Sequence, residues 1–185
     1  MENQLTRADP VHLASIDLTN FRCFRKHQVH FAKNSILVGK NNAGKSTVIE
    51  AIRLLAAVMN RKTFTLKPPP QGSGMPPRHL GVQFRVDRHV ERTKTLYHAY
   101  GAGPATIHAI FSNKSSVTIT IFEGELVHAF FTNSSGIVYS KGSMITNGEF
   151  PKVAVLPQLS PLLVEEVRKN EDYVRKHATT IRASL

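Results

Sequence analysis

The chain has 185 residues, 41% of them hydrophobic, which is enough apolar content for one core of ordinary domain size. No basic start leads into an apolar segment, and no apolar run approaches the ~18 residues of a membrane span, so secretion and membrane insertion are disfavoured and a cytoplasmic location is expected. A single cysteine excludes an internal disulfide, and a formal net charge of +11 directs attention to anionic partners.

The first predicted elements are two short strands, His12 to Leu18 and Gln28 to Phe31, flanking Thr19-Asn20-Phe21-Arg22-Cys23-Phe24. Within that connection Phe21 and Phe24 read as core aromatics and Cys23 as a small buried hydrophobe. Ser35-Ile36-Leu37-Val38 reads as a buried strand. It leads directly into Gly39-Lys40-Asn41-Asn42-Ala43-Gly44-Lys45-Ser46-Thr47, which satisfies the phosphate-binding pattern G-x-x-x-x-G-K-[ST]. A helix over Ser46 to Asn60 completes the strand, loop and helix order that this pattern requires.

Each residue type in the loop has a physical reason. Gly39 permits a sharp turn after the strand, and Gly44 removes a Cβ where backbone amides close around phosphate oxygens. Those amides and the positive end of the helix form an anion site, with Asn41, Asn42 and Ala43 supplying the intervening backbone. Lys45 is placed to reach the β- and γ-phosphates, Ser46 to ligate a bridging magnesium ion, and Thr47 to donate near the α-phosphate. Val48, Ile49, Ile52, Leu55, Ala56 and Met59 recur at helical spacing and are expected to pack on a sheet, while Glu50 and Arg53 read as solvated charges.

The run Pro68-Pro69-Pro70-Gln71-Gly72-Ser73-Gly74-Met75-Pro76-Pro77 can be neither helix nor central strand, so 61–78 is read as an exposed loop. The excess positive charge is concentrated in Arg61, Lys62, Lys67, Arg78, Arg85, Arg88, Arg92 and Lys94, a surface suited either to a nucleic-acid backbone or simply to solvent. His79, His89, His98 and His108 are too far apart for a local metal motif. Antiparallel strands are predicted over Leu80 to Val86, Thr95 to Tyr100, Thr106 to Phe111, Val117 to Phe122, Leu126 to Phe131 and Ile137 to Tyr139. A last strand, Lys152 to Leu156, ends in Pro157-Gln158-Leu159-Ser160-Pro161, and Leu162 to Leu185 reads as helical.

A strand ending in Asn-Phe-Arg-x-Phe, a second strand, and then Gly-x-Asn-x-Ala-Gly-Lys-Ser together resemble the amino-terminal lobe of the RecF, SMC and OLD group of ABC-type ATPases, from Leu13 to Met59. The pair Asn41-Asn42 leans toward the OLD-type members. The resemblance implies an α/β phosphate-loop NTPase lobe over 1–185, with a mixed or antiparallel sheet around the loop helix and a C-terminal helix. Its parts are a phosphate-loop core over 11–60, the loop over 61–78, antiparallel strands over 79–157, and a Q-loop-like segment and helix over 158–185.

The same resemblance implies ATP and Mg2+ as cofactors and places Arg22 near the nucleotide, where a guanidinium suits multidentate phosphate contact. It makes Gln158 the candidate amide that senses magnesium or the attacking water, although the family often has proline there. It also implies head-to-head assembly with a second copy or a second lobe, whereas DNA as a candidate partner is read from the basic segment alone. No run of four apolar residues ends in Asp-Glu, and Asp87 reads as a solvated strand-end carboxylate. The expectation is therefore a truncated or split head that binds ATP and hydrolyses it only when completed by a second lobe. The alternatives are a non-enzymatic basic nucleic-acid-binding module and, less favoured, a small-molecule kinase or GTPase.

Overall fold

The computed structural model describes residues 9–85, 96–123, 126–146 and 149–155. Its frame is a seven-stranded sheet in the order β2-β1-β5-β6-β7-β4-β3, with every pairing antiparallel. The strands are β1 (Leu13–Phe21), β2 (Phe24–His30), β3 (Leu66–Lys67), β4 (Gly81–Arg85), β5 (Ala105–Phe111), β6 (Ser116–Ile121) and β7 (Leu126–Thr132). Two helices accompany them, α1 (Lys45–Met59) and α2 (Gly142–Thr146).

Strict alternation is what makes this sheet two-faced. On one face Leu18, Ile107, Ile119, Ala129 and Val82 are cross-strand partners in a single row, all essentially inaccessible. Ile16, Ala109, Val117 and Phe131 form the neighbouring row, and both belong to the core into which α1 inserts Val48, Ala51, Leu55 and Val58. Thr19, Thr106, Thr120, His128 and Gln83 line up on the opposite face.

The predicted helix and the strands predicted over 80–86, 106–111, 117–122 and 126–131 are present within a residue or two. Five expectations are corrected. Ser35 to Val38 is not a strand: Ile36 and Val38 are 89% and 88% exposed, because no described strand lies beside them to supply ladder bonds. Strand β2 begins at Phe24 rather than Gln28, so Arg22 and Cys23 alone make the turn between paired Phe21 and Phe24. In place of a strand over Thr95 to Tyr100, Tyr97 forms one bridge to Phe21 and His98–Tyr100 coil into a 3-10 turn, with Ala99 and Tyr100 at positive φ. Ile137 to Tyr139 contributes only the bridge from Val138 to Thr132. Residues 152–155 form no ladder, although Asn60 donates its side-chain amide to the Val153 carbonyl.

The helix face is also rotated from the expected one. Ala51 and Val58 are buried, whereas Ile49 is 40% exposed, since the face that meets the sheet runs through Val48, Ala51, Leu55 and Val58. The proline-rich loop is anchored where it begins: Leu66–Lys67 pairs with β4, and the Gln83 amide donates to the Pro68 carbonyl at 2.6 Å. Helix α2, which the sequence reading did not include, buries Ile145.

His128 is fully buried on the sheet face opposite α1. Its Nε2 lies 2.9 Å from the His79 carbonyl and its Nδ1 3.3 Å from the Gln83 amide nitrogen, which assigns the proton of the neutral ring to Nε2. Burial pushes its basicity down, opposed by the hydrogen bond to His79, and burial likewise lowers His108 against the pull of Asp17. Both folded values lie below the unfolded one, so the unfolded chain takes up protons first as pH falls. Stability should therefore be complete above about pH 6.5 and decline as pH drops toward the folded values. Urea midpoints at about pH 7.5 and pH 5.5 should differ in the parent and converge in a His108→Gln, His128→Gln double variant; equal midpoints in the parent would contradict the assignment.

Candidate functional site

The predicted phosphate loop opens α1. Gly44 is the residue before the helix, with φ +84°, a left-handed conformation that disfavours any side chain. Its carbonyl accepts the Val48 amide at 3.1 Å. A Cβ at this position would run into the Phe24 ring, so both conformation and space favour glycine. Asn42 is also left-handed, at φ 67°, and the Ala43 amide closes back on the Lys40 carbonyl at 3.2 Å. Gly39, Asn41, Asn42 and Ala43 are exposed.

Lys45 lies at the centre of this arrangement. Its Nζ donates to the carbonyls of Gly39 and Lys40, each at 2.7 Å, so the ammonium is held inside the loop by oxygens that a phosphate can replace. The first turn of α1 has no side-chain cap and no acidic residue. Its amides and dipole are thus available to an anion, with no carboxylate competing locally. Ser46 is exposed on the same turn, where its hydroxyl can reach a phosphate-bound cation. Thr47 is buried, and its hydroxyl lies 3.2 Å from the Cys23 thiol. Cys23 is exposed rather than buried as expected, because it sits in the two-residue turn between β1 and β2.

Arg22 occupies that same turn at φ 50°. Its amide donates to the Leu96 carbonyl at 2.8 Å, and His98 Nδ1 lies 3.2 Å from its carbonyl, so its backbone is pinned from the far side. The guanidinium pairs with Glu50 on α1, placing Arg22 one helical turn from the loop. Glu50 is therefore not the freely solvated charge that the sequence suggested. Burial raises its carboxyl above the usual carboxylate range, while Arg22 and Arg53 oppose that rise. Phe21 is in the core as expected, whereas Phe24 is only partly buried and lies over Gly44, stacked with His27.

Gln158, Asp87 and the predicted C-terminal helix lie outside the described residues. Among the described residues no group of three or more His, Cys, Asp or Glu side chains is placed to hold a metal, and no helix is long and apolar enough to cross a membrane. Of the basic segment, Arg61, Lys62, Lys67, Arg78 and Arg85 are exposed, and Arg61 lies over the Phe84 ring at 5.2 Å. The sequence reading missed the pairing of Glu50 with Arg22, which carries no motif and is set only by the packing of the β1–β2 turn on α1.

The family model that matches the chain is that of the AAA ATPase domain, over residues 12–179. The chain belongs to the AAA ATPase domain family. Among curated proteins, this AAA ATPase domain is 38% identical over 53 residues to the DNA replication and repair protein RecF of Gloeothece citriformis, covering 28% of this chain and 14% of that protein. It is 39% identical over 54 residues to RecF of Rippkaea orientalis, covering 29% and 14%. The matched stretch thus spans about one seventh of the length of these relatives. A solved chain from a study of ATP-driven dimerization and DNA-stimulated activation of SMC ATPases aligns at a TM-score of 0.48 and 14% identity, covering 82% of this chain and 93% of that one.

Proposed function

We propose that this chain binds ATP with magnesium through Gly39 to Thr47 and provides the phosphate-loop side of a RecF/OLD-type ATPase head. The observation that carries this reading is the loop itself. The Lys45 ammonium is held by two loop carbonyls at the uncapped start of α1, beside a glycine that neither its φ nor the Phe24 ring lets change. Such an arrangement stabilises polyphosphate charge through backbone amides and one cation. Ser46 would hold magnesium, and Arg22 would reach the phosphates after releasing Glu50. Gln158 is the candidate for sensing the metal or the attacking water.

Turnover requires more than grip, because contacts that hold ground state and transition state equally give affinity without rate. The head is proposed to be completed by a second lobe, on this polypeptide or another, in a head-to-head arrangement of the kind that serves DNA repair or phage defence. The exposed Ile36 to Val38 segment favours this: a β-forming apolar run with no ladder partner among the described residues is suited to pairing with a further strand. The 185-residue chain alone is expected to bind ATP without hydrolysing it. Mixing it with a protein that carries the complementary lobe should start phosphate release. Robust ATPase activity of the chain alone, abolished by Lys45→Ala, would refute the two-lobe reading.

DNA contact is a second reading, favoured by the exposure of Arg61, Lys62, Lys67, Arg78 and Arg85. Neutralising phosphates by such side chains releases counterions, so duplex affinity should fall steeply with salt. Salt-insensitive binding, or none at low salt, would leave these residues as a solvated surface.

A further inference from the structure

The Arg22 side chain springs from a fixed turn. Besides the bonds from the Arg22 amide to the Leu96 carbonyl and between the Arg22 carbonyl and His98, Asn20 donates its side-chain amide to the carbonyls of Ala102 and Pro104 at 2.8 and 3.0 Å. The segment 96–104 therefore sets where the side chain starts. The turn rests on the first turn of α1, where Cys23 Sγ lies 3.2 Å from Thr47 Oγ1. From that origin the guanidinium pairs with Glu50, which is roughly 4–5 Å farther along the helix axis than Thr47 and so farther from the phosphate loop. Arg22 Nε and Glu50 Oε2 are buried atoms with no hydrogen-bond partner apart from each other among the described residues. Glu50 also has a second cation within reach. Arg53 follows it at the i+3 spacing at which helical side chains meet, and its charge, after that of Arg22, opposes the rise that burial imposes on the Glu50 carboxyl.

We infer that Glu50 is an internal competitor of the nucleotide: it holds Arg22 back from the loop in the empty site and passes to Arg53 when a triphosphate takes Arg22. The inference rests on the proposed phosphate loop and on the role proposed for Arg22 there, and adds a residue that regulates affinity without touching the ligand. Binding then exchanges one ion pair for another. The exchange is feasible because Arg53 keeps Glu50 from being left as an uncompensated, half-buried carboxylate, the outcome that makes breaking such pairs costly. It is also modest in size. The two side chains are 26% and 34% exposed, so solvent screens the pair and the hold on Arg22 amounts to a several-fold effect on affinity, not an absolute block.

Calorimetric titration with ATP and magnesium of the parent, Glu50→Gln, Arg22→Ala and the double variant tests this. Glu50→Gln keeps the size of the side chain and removes its charge, and it is expected to raise ATP affinity about fivefold. Arg22→Ala should lower affinity, and in that background Glu50→Gln should change nothing, because the competitor has no cation left to withhold. Arg53→Ala provides an independent reading that leaves Glu50 in place. Deprived of its second cation, Glu50 should grip Arg22 more firmly and lower ATP affinity about threefold, an effect that disappears once Glu50 is glutamine. A gain from Glu50→Gln that persists without Arg22 would mean that a negative charge near the loop merely repels the ligand, and would overturn the inference. So would an unchanged or weakened affinity in Glu50→Gln, which would make Glu50 a residue that presents Arg22 to the site instead of withholding it. Failure of the parent protein to bind ATP would refute the phosphate-loop reading, and the competitor with it.

Discussion

Lys45→Ala is expected to lower ATP affinity by about a hundredfold, the loss of a charge-assisted contact to polyphosphate oxygens. It should do so without unfolding the protein. Among the described residues the ammonium hydrogen-bonds to the carbonyls of Gly39 and Lys40, both on an exposed loop that can take water in its place. Calorimetric titration of parent and variant, with melting temperatures measured alongside, separates the two effects. Unchanged affinity would remove Lys45 from the site, and a large drop in melting temperature would assign it a structural role instead. Ser46→Ala serves as the companion: its hydroxyl is exposed and has no protein partner among the described residues, so its loss should act through magnesium. ATP binding by the parent should be stronger with magnesium than without, and the variant should show much less of that difference.

Phe131→Ala is expected to cost about 3–5 kcal/mol of folding stability, enough to leave a marginally stable domain largely unfolded. Phe131 is 1% exposed and meets Phe64 and Phe150 edge-on, with centroids 5.4 and 5.3 Å away. One ring thus ties β7 to the chain following α1 and to the segment following α2, and alanine would leave a cavity bordered by three parts of the chain. Denaturant unfolding should show a lower midpoint with little change in slope. Phe131→Leu, which refills most of the volume, should recover a large part of the loss; an alanine variant as stable as the parent would mean that the three segments do not depend on this contact.

What the sequence determined by itself was local. The strand-forming alternation of Val117-Thr118-Ile119-Thr120-Ile121, the helix after the loop and the spacing of Gly39, Gly44, Lys45 and Ser46 depend on side-chain periodicity and on glycine's freedom, both readable without neighbours. The resemblance carried by Asn20-Phe21-Arg22 and the loop was legible for the same reason, since a short motif keeps its spacing whatever surrounds it. Tertiary structure decided everything that depends on a partner in space. Ser35 to Val38 has the composition of a buried strand, yet it lies bare because a strand exists only through the ladder beside it. Ile49 fits the helical period as well as Ala51 does, and only docking on the sheet selected Ala51 for burial. Glu50 looked solvated until the β1–β2 turn brought Arg22 against it, and the stacking of His27 on Phe24 above Gly44 was likewise set by the fold. Cys23 reads as a hydrophobe by type but is exposed, because a two-residue turn has no interior in which to hide it.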